Sequence, residues 1–108
     1  MHFNFVIKKN TLIVKIVGEL DHHSAGELRE QLDSKIITEG ISNLVFDLSD
    51  LVFMDSSGIG VIIGRYKLIK SLGGEVYIVS TSKNVDKLLS LSGIPDIIKV
   101  TKTYEETE

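Results

Sequence analysis

Asp55-Ser56-Ser57-Gly58 sets two hydroxyls between a carboxylate and a glycine. The apolar run Val52-Phe53-Met54 leads in, and Ile59-Gly60-Val61-Ile62-Ile63 leads out. Four kinds of chemistry use such a junction. A side-chain oxygen there can cap a helix by accepting from the N2 or N3 amide, and Asp55 or either serine has the oxygen for it. A serine can attack an acyl group if a base lies in reach and an acid orients that base. The histidines are His2, His22 and His23, and nothing in their spacing aims them at Ser56 or Ser57. Glycines at a strand-to-helix turn can cradle a pyrophosphate. Gly58, Gly60 and Gly64 miss that fingerprint by one position, and Glu75 stands at the start of the next strand rather than at its tip. Gly58 and Gly60 then let something approach the helix start closely, and Gly64 allows tight packing. Finally, a serine can itself receive a phosphate. A helix start offers unpaired N–H groups and the positive end of the macrodipole, and the added group brings about −1.5 to −2 charge. On local physics alone, capping is the favoured reading.

A metal site is the remaining candidate. Asp47, Asp50 and Asp55 gather near one predicted strand end, with Asp21 a further carboxylate. Receiver domains hold magnesium with such carboxylates. They begin β-α-β and carry an acidic pair after the first strand, whereas this chain opens on a hairpin. Neither a metal nor a cofactor is expected.

The elements that must position this junction follow from periodicity. Phe3, Phe5 and Ile7 alternate, as do Leu12, Val14 and Ile16, with Asn10-Thr11 between them, which predicts an opening β-hairpin. Ser24 and Glu27 match a capping box ahead of Leu28, Leu32 and Ile36, predicting an amphipathic helix over 24–38 ended by Gly40. Residues 43–49 predict a central strand. After the serines, Ile59, Ile62, Ile63, Tyr66 and Ile69 recur at helical spacing as far as Leu72, and Gly73-Gly74 ends that helix. Val61 and Leu68 fall off its apolar stripe, as positions that meet a partner would. A buried strand over 75–80, a third helix capped by Ser82 with Val85, Leu88 and Leu89 facing inward, and a last strand over 97–100 complete the chain. The order is β-β-α-β-α-β-α-β: an α/β fold with a mixed sheet, the later crossovers parallel. The C-terminal eight residues are polar, and fraying or a short helix is expected there.

Composition narrows the function classes. The chain has 108 residues, one small domain over 1–108. It carries a net charge of −3 with no basic stripe, which disfavours nucleic acid, and its densest charge cluster is the acidic tail YEETE. It has no cysteine, hence no disulfide and no thiolate metal site, which fits a cytoplasmic protein. The N-terminus lacks a signal-peptide layout, and no apolar run reaches the roughly 18–20 residues that span a bilayer.

The segment LVFMDSSGIGVIIGRYKLIKSLGGEVYIVS closely resembles the STAS domains of bacterial anti-sigma factor antagonists. GELDHHSAGELRE is similar to that family's first loop and helix, and LLSLSGIPDIIKV to its third helix and last strand, so nearly the whole chain is covered. GRYK is nearer the sporulation branch than the general stress-response branch. The resemblance implies the STAS fold and a partner-switching protein that is not an enzyme. It implies an anti-sigma factor as partner, itself an ATP-dependent serine kinase, and a PP2C-type phosphatase that reverses the kinase. It implies that Ser57, the second serine, is the phosphorylated residue; spacing does not choose between Ser56 and Ser57. It further implies that Asp21 lies beside the modified serine, and that Asp21, Asp55, Ser56, Ser57, Gly58, Ile59, Gly60 and Val61 form the partner-binding region.

Overall fold

The computed structural model describes residues 1–104. Its elements are β1 (His2–Lys8), β2 (Thr11–Leu20), α1 (Ala25–Thr38), β3 (Asn43–Asp47), β4 (Leu51–Met54), α2 (Ser56–Ser71), β5 (Val76–Val79), α3 (Lys83–Leu91), a 3-10 turn at Ile94–Asp96, and β6 (Lys99–Thr101). The strands form one mixed sheet in the order β1-β2-β3-β5-β6. Only β1 runs antiparallel; β2, β3, β5 and β6 pair in parallel. The order matches the sequence-based expectation with one addition. Leu51–Met54 forms a strand of its own, although four residues of mixed exposure carry too little alternation to declare it.

Register explains the core. Leu12 pairs with Leu44 and Leu44 with Val76; Val14 pairs with Phe46 and Phe46 with Ile78. These two rows lie on one face of the sheet, and each of their residues is almost wholly buried. Leu28, Leu32 and Ile36 of α1, Ile62 and Ile69 of α2, and Val85 and Leu89 of α3 close over them. At roughly 1.5–3 kcal/mol for burying each such side chain, this layer is the main source of stability. Phe3 and Phe5 extend it along β1, where the Lys35 ammonium lies 5.0 Å above the Phe5 ring. Ile7, on the same side of the strand, is 39% exposed.

β2 changes partner midway. Thr11–Lys15 pair with β3, while Gly18–Leu20 pair with β4, and the register shifts between Gly18 and Glu19. Gly18 has φ +97° there, a backbone state that β-carbons disfavour. The turn in the opening hairpin is Lys9-Asn10 rather than Asn10-Thr11, since Thr11 already pairs with Lys8. Lys9 carries the positive φ, 55°, that a tight hairpin needs. The last strand begins at Lys99 rather than residue 97 because the 3-10 turn claims Ile94–Asp96, with Ile94 and Ile98 buried. Of the C-terminal eight residues, Thr101 ends β6; the acidic tail beyond Tyr104 lies outside the described residues.

The α2 stripe is rotated from the expected one. Val61 and Arg65 are buried with Ile59, Ile62 and Ile69, while Ile63 and Tyr66 are half-buried. The helix packs against α1 as well as the sheet, so it has two inward faces. Val61 therefore belongs to the interior, and Leu68 packs against the core.

Two glycines bracket the packing limits of α2. A β-carbon on Gly74 would collide with the Ser42 carbonyl, whereas one on Gly60 would meet nothing within 4 Å. Gly74→Ala is expected to lose about 1–3 kcal/mol, and Gly60→Ala to gain about 0.5–1 kcal/mol from helix propensity. Urea unfolding midpoints check both; equal shifts for the pair would contradict the packing assignment.

Candidate functional site

Asp55 is the joint of the site. It is the N-cap of α2, in extended conformation, and its Oδ1 accepts the Ser57 N–H at 2.8 Å. Its carbonyl accepts the N–H groups of Gly58 and Ile59 at 3.1 and 3.3 Å. Its own N–H donates to the Leu20 carbonyl at 3.2 Å, and its Oδ2 accepts the His22 N–H at 3.3 Å. One residue thus fixes the end of β2, the following loop and the start of α2. Neither serine is the cap: Ser56 and Ser57 are the first two residues of the helix. Ser56 is exposed and Ser57 half-buried, so both hydroxyls are released from the structural duty that sequence left open to them. The capping bonds also take the amides of residues 57–59, so the helix start offers an incoming anion fewer free N–H groups than its position suggests.

The loop after β2 is folded around Asp21. Its Oδ1 accepts the N–H groups of His23 and Ser24 at 3.0 and 3.2 Å and the Ser24 hydroxyl at 3.1 Å. The Asp21 N–H donates back to Ser24 Oγ at 3.0 Å. The expected capping box therefore does not form: Ser24 makes no side-chain cap bond, and Glu27 accepts from Gln31 instead. The carboxylate three residues upstream is the stronger acceptor and claims the hydroxyl. Burial pushes the Asp21 carboxyl up, but the bonds from Ser24 and His23 outweigh it and hold the group below its ordinary value.

Between α1 and α2 lies a groove of about 580 Å³, lined by His22, Ala25, Gly26, Arg29, Ser57, Gly60, Val61 and Arg65. Its lining includes three basic side chains and no acidic one. Arg65 is 9% exposed; its Nε lies 2.9 Å from Asp33 Oδ1 and its Nη1 donates to the Val61 carbonyl at 3.3 Å, tying α2 to α1. Burial lowers the guanidinium pKa, and Asp33 opposes that effect.

The structure brings most of the sequence-derived residues together, in different roles. Asp21, Asp55, Ser56, Ser57 and Gly60 offer surface; Gly58, Ile59 and Val61 are buried. Gly58 is glycine because a β-carbon would collide with the Met54 side chain and come within 3.1 Å of Leu20. A β-carbon on Gly64 meets nothing within 4 Å, so tight packing is not the reason for that glycine. The other aspartates are engaged apart from the serines: Asp47 accepts from Ser49, and Asp50 pairs with Lys15 at 2.9 Å. Among the described residues, no three His, Cys, Asp or Glu side chains group as a metal site would need. The His22 ring shares the groove with Ser57 and packs against His23, with centroids 5.6 Å apart. Sequence reasoning missed Arg29, Gly26 and Arg65 as lining residues. The Asp33–Arg65 pair crosses two helices, and no local period reveals it. Phe53 and Val52, passed over as a lead-in, stand 48% and 69% exposed beside the cap.

Two measurements probe this site. Asp55→Ala should cost about 1 kcal/mol or more, while Ser56→Ala and Ser57→Ala stay within about 0.5 kcal/mol of wild type; denaturant titration decides, and equal losses would return the capping role to a serine. Because the folded Asp21 pKa is depressed, its contribution is present above about pH 3.9, the unfolded value, and fades as pH falls through the folded value. Asp21→Asn should flatten that acid limb of stability against pH, and an unchanged limb would remove the carboxylate from the account.

Comparison with known proteins covers the same ground. A STAS domain model matches residues 2–107. An anti-sigma F factor antagonist of Paenibacillus polymyxa is 44% identical over 92 residues, covering 85% of this chain and 79% of the relative. An anti-sigma-B factor antagonist of Bacillus subtilis (strain 168) is 35% identical over 107 residues, covering 97% and 96%. The Bacillus cell fate determinant SpoIIAA, solved in its phosphorylated form, superposes with a TM-score of 0.75 at 25% identity, covering 93% and 91%. With its six-stranded mixed sheet, its helical crossovers and a family match across nearly its whole length, the chain belongs to the STAS domain family.

Proposed function

We propose that this chain is an anti-sigma factor antagonist whose binding is switched at Ser57. In the unmodified state it binds an anti-sigma factor through the surface of Asp21, Asp55, Ser56, Ser57 and Gly60, and the sigma factor is released. Gly58, Ile59 and Val61 hold that surface in shape from beneath. The anti-sigma factor is also a serine kinase. It supplies ATP, magnesium and the base that takes the Ser57 Oγ proton; the Oγ–P bond forms as ADP leaves. A PP2C-type phosphatase hydrolyses the ester and restores binding. The chain works as a regulatory binding module in the cytoplasm rather than as an enzyme, and the transcription it controls is that of sporulation.

The observation that carries this reading is the pair of unengaged serines beside a committed cap. Asp55 does the structural work, so the Ser57 hydroxyl is left for modification. A phosphoryl group there stands close to Asp55 and to the Asp21 loop, which Asp55 anchors through His22. It adds about −1.5 to −2 charge beside those carboxylates, and a partner fitted to the unmodified surface meets both the added charge and the added bulk. The relatives' names support antagonism of an anti-sigma factor, and the phosphorylated form of one structural neighbour supports a modified state. A general stress-response antagonist is the second reading, favoured by the near-complete overlap with the anti-sigma-B antagonist.

Incubation with a cognate anti-sigma kinase and labelled ATP tests the assignment. Label should enter wild type and Ser56→Ala, and not Ser57→Ala, which should remain bound to the anti-sigma factor. Label retained by Ser57→Ala would sink it. Turnover of ATP by the isolated chain would point instead to an enzyme.

A further inference from the structure

We propose that the groove between α1 and α2 is a phosphoryl-binding subsite, and that it receives the phosphorylated Ser57 side chain of the same molecule with Arg29 as its principal ligand. The inference rests on Ser57 being the phosphorylated residue.

A dianion at position 57 needs counter-charge, and most of the backbone donors there are already occupied. Asp55 takes the amides of residues 57–59 through its carboxylate and carbonyl. Its carboxylate is moreover a like charge. The larger share of the compensation comes from side chains, and the groove into which Ser57 opens supplies two guanidinium groups, Arg29 and Arg65, with no carboxylate in the lining. Arg65 is buried and committed to Asp33 and to the Val61 carbonyl. Arg29 is exposed, and among the described residues no carboxylate pairs with it. A guanidinium fork matches two phosphoryl oxygens at once. His22 lies on the same lining.

The small residues argue independently for something entering. Gly26 and Gly60 both line the groove, both lie in helices, and a β-carbon on either would meet nothing within 4 Å. Glycine in a helix interior costs about 0.5–1 kcal/mol relative to alanine, a cost that falls on Gly60, since Gly26 is the second residue of α1. The folded chain gives no packing reason for either, whereas an open groove beside the serine does. Held there, the phosphoryl group is partly withdrawn from solvent, so Arg29 would also slow its removal by a phosphatase.

Phosphoserine inserted at position 57 by codon suppression makes the test independent of any kinase. The second ionisation of that group is followed by phosphorus NMR against pH in wild type and Arg29→Gln. The charged groups around it are Asp55 at the cap, Asp21, His22 and His23 in the loop, Arg29 and Asp33 on α1, and Arg65 on α2; only Arg29 differs between the samples. A guanidinium bound to the phosphoryl oxygens favours the dianion, so the midpoint should rise by about one pH unit in Arg29→Gln, with Arg29→Lys between the two. Equal midpoints in wild type and Arg29→Gln would overturn the proposal while leaving kinase labelling of Ser57, the test of the functional reading, untouched. ATP with magnesium is added to the unphosphorylated protein as a second arm. Binding that Arg29→Gln abolishes, alongside equal midpoints, would reassign the groove to a nucleotide phosphate and equally overturn it.

Discussion

The fold converges on the hydrogen bonds of one carboxylate. Asp55 stops β4, starts α2 and holds the loop after β2, using its carboxyl, carbonyl and N–H together. A cap is ordinarily a local device that satisfies a helix terminus. Here it also sets the distance between two segments more than thirty residues apart in sequence, since His22 is tied to it directly. Because the cap is an aspartate, the two serines behind it are structurally redundant. That redundancy means the proposed modification would alter a hydroxyl without removing the cap of the helix it begins.

Under the proposed function, the same arrangement makes charge, rather than shape, the variable of the site. The core rows through β2, β3 and β5 are closed by three helices and do not depend on the serines. A phosphoryl group can then change the surface field over the Debye length of about 8 Å without any coupling through the interior. A small domain with a single apolar layer has little capacity for two alternative packings, so an electrostatic switch suits it better than a conformational one.

Much of this was legible in the chain because the relevant signals are local. Period-2 and period-3.6 patterns place β1, β2, α1, α2 and α3, and Ser82 accepts the Val85 N–H as its position implies. The signals that failed were those in which a distant or stronger group competes. Ser24 and Glu27 spell a capping box, but Asp21 takes the serine first. Val61 looks superfluous on a single-faced helix, and α1 supplies the second face. The groove beside Ser57 is assembled from α1 and α2, so its basic lining is dispersed in sequence between residues 22 and 65. The motif announces the serine, while its surroundings exist only after the helices pack.

The change of partner along β2 limits the lengths that β4 can tolerate. β2 pairs with β3 at one end and with β4 at the other, and the switch is absorbed at Gly18. Met54 of β4 and Leu20 of β2 together define the space that only Gly58 fits. A single-residue deletion within β4 would turn its alternate side chains to the opposite face and carry the wrong atoms toward Gly58. The connection at residues 48–50 therefore absorbs a change of length more readily than the run from Leu51 to Gly58, whose register the packing around Gly58 depends on.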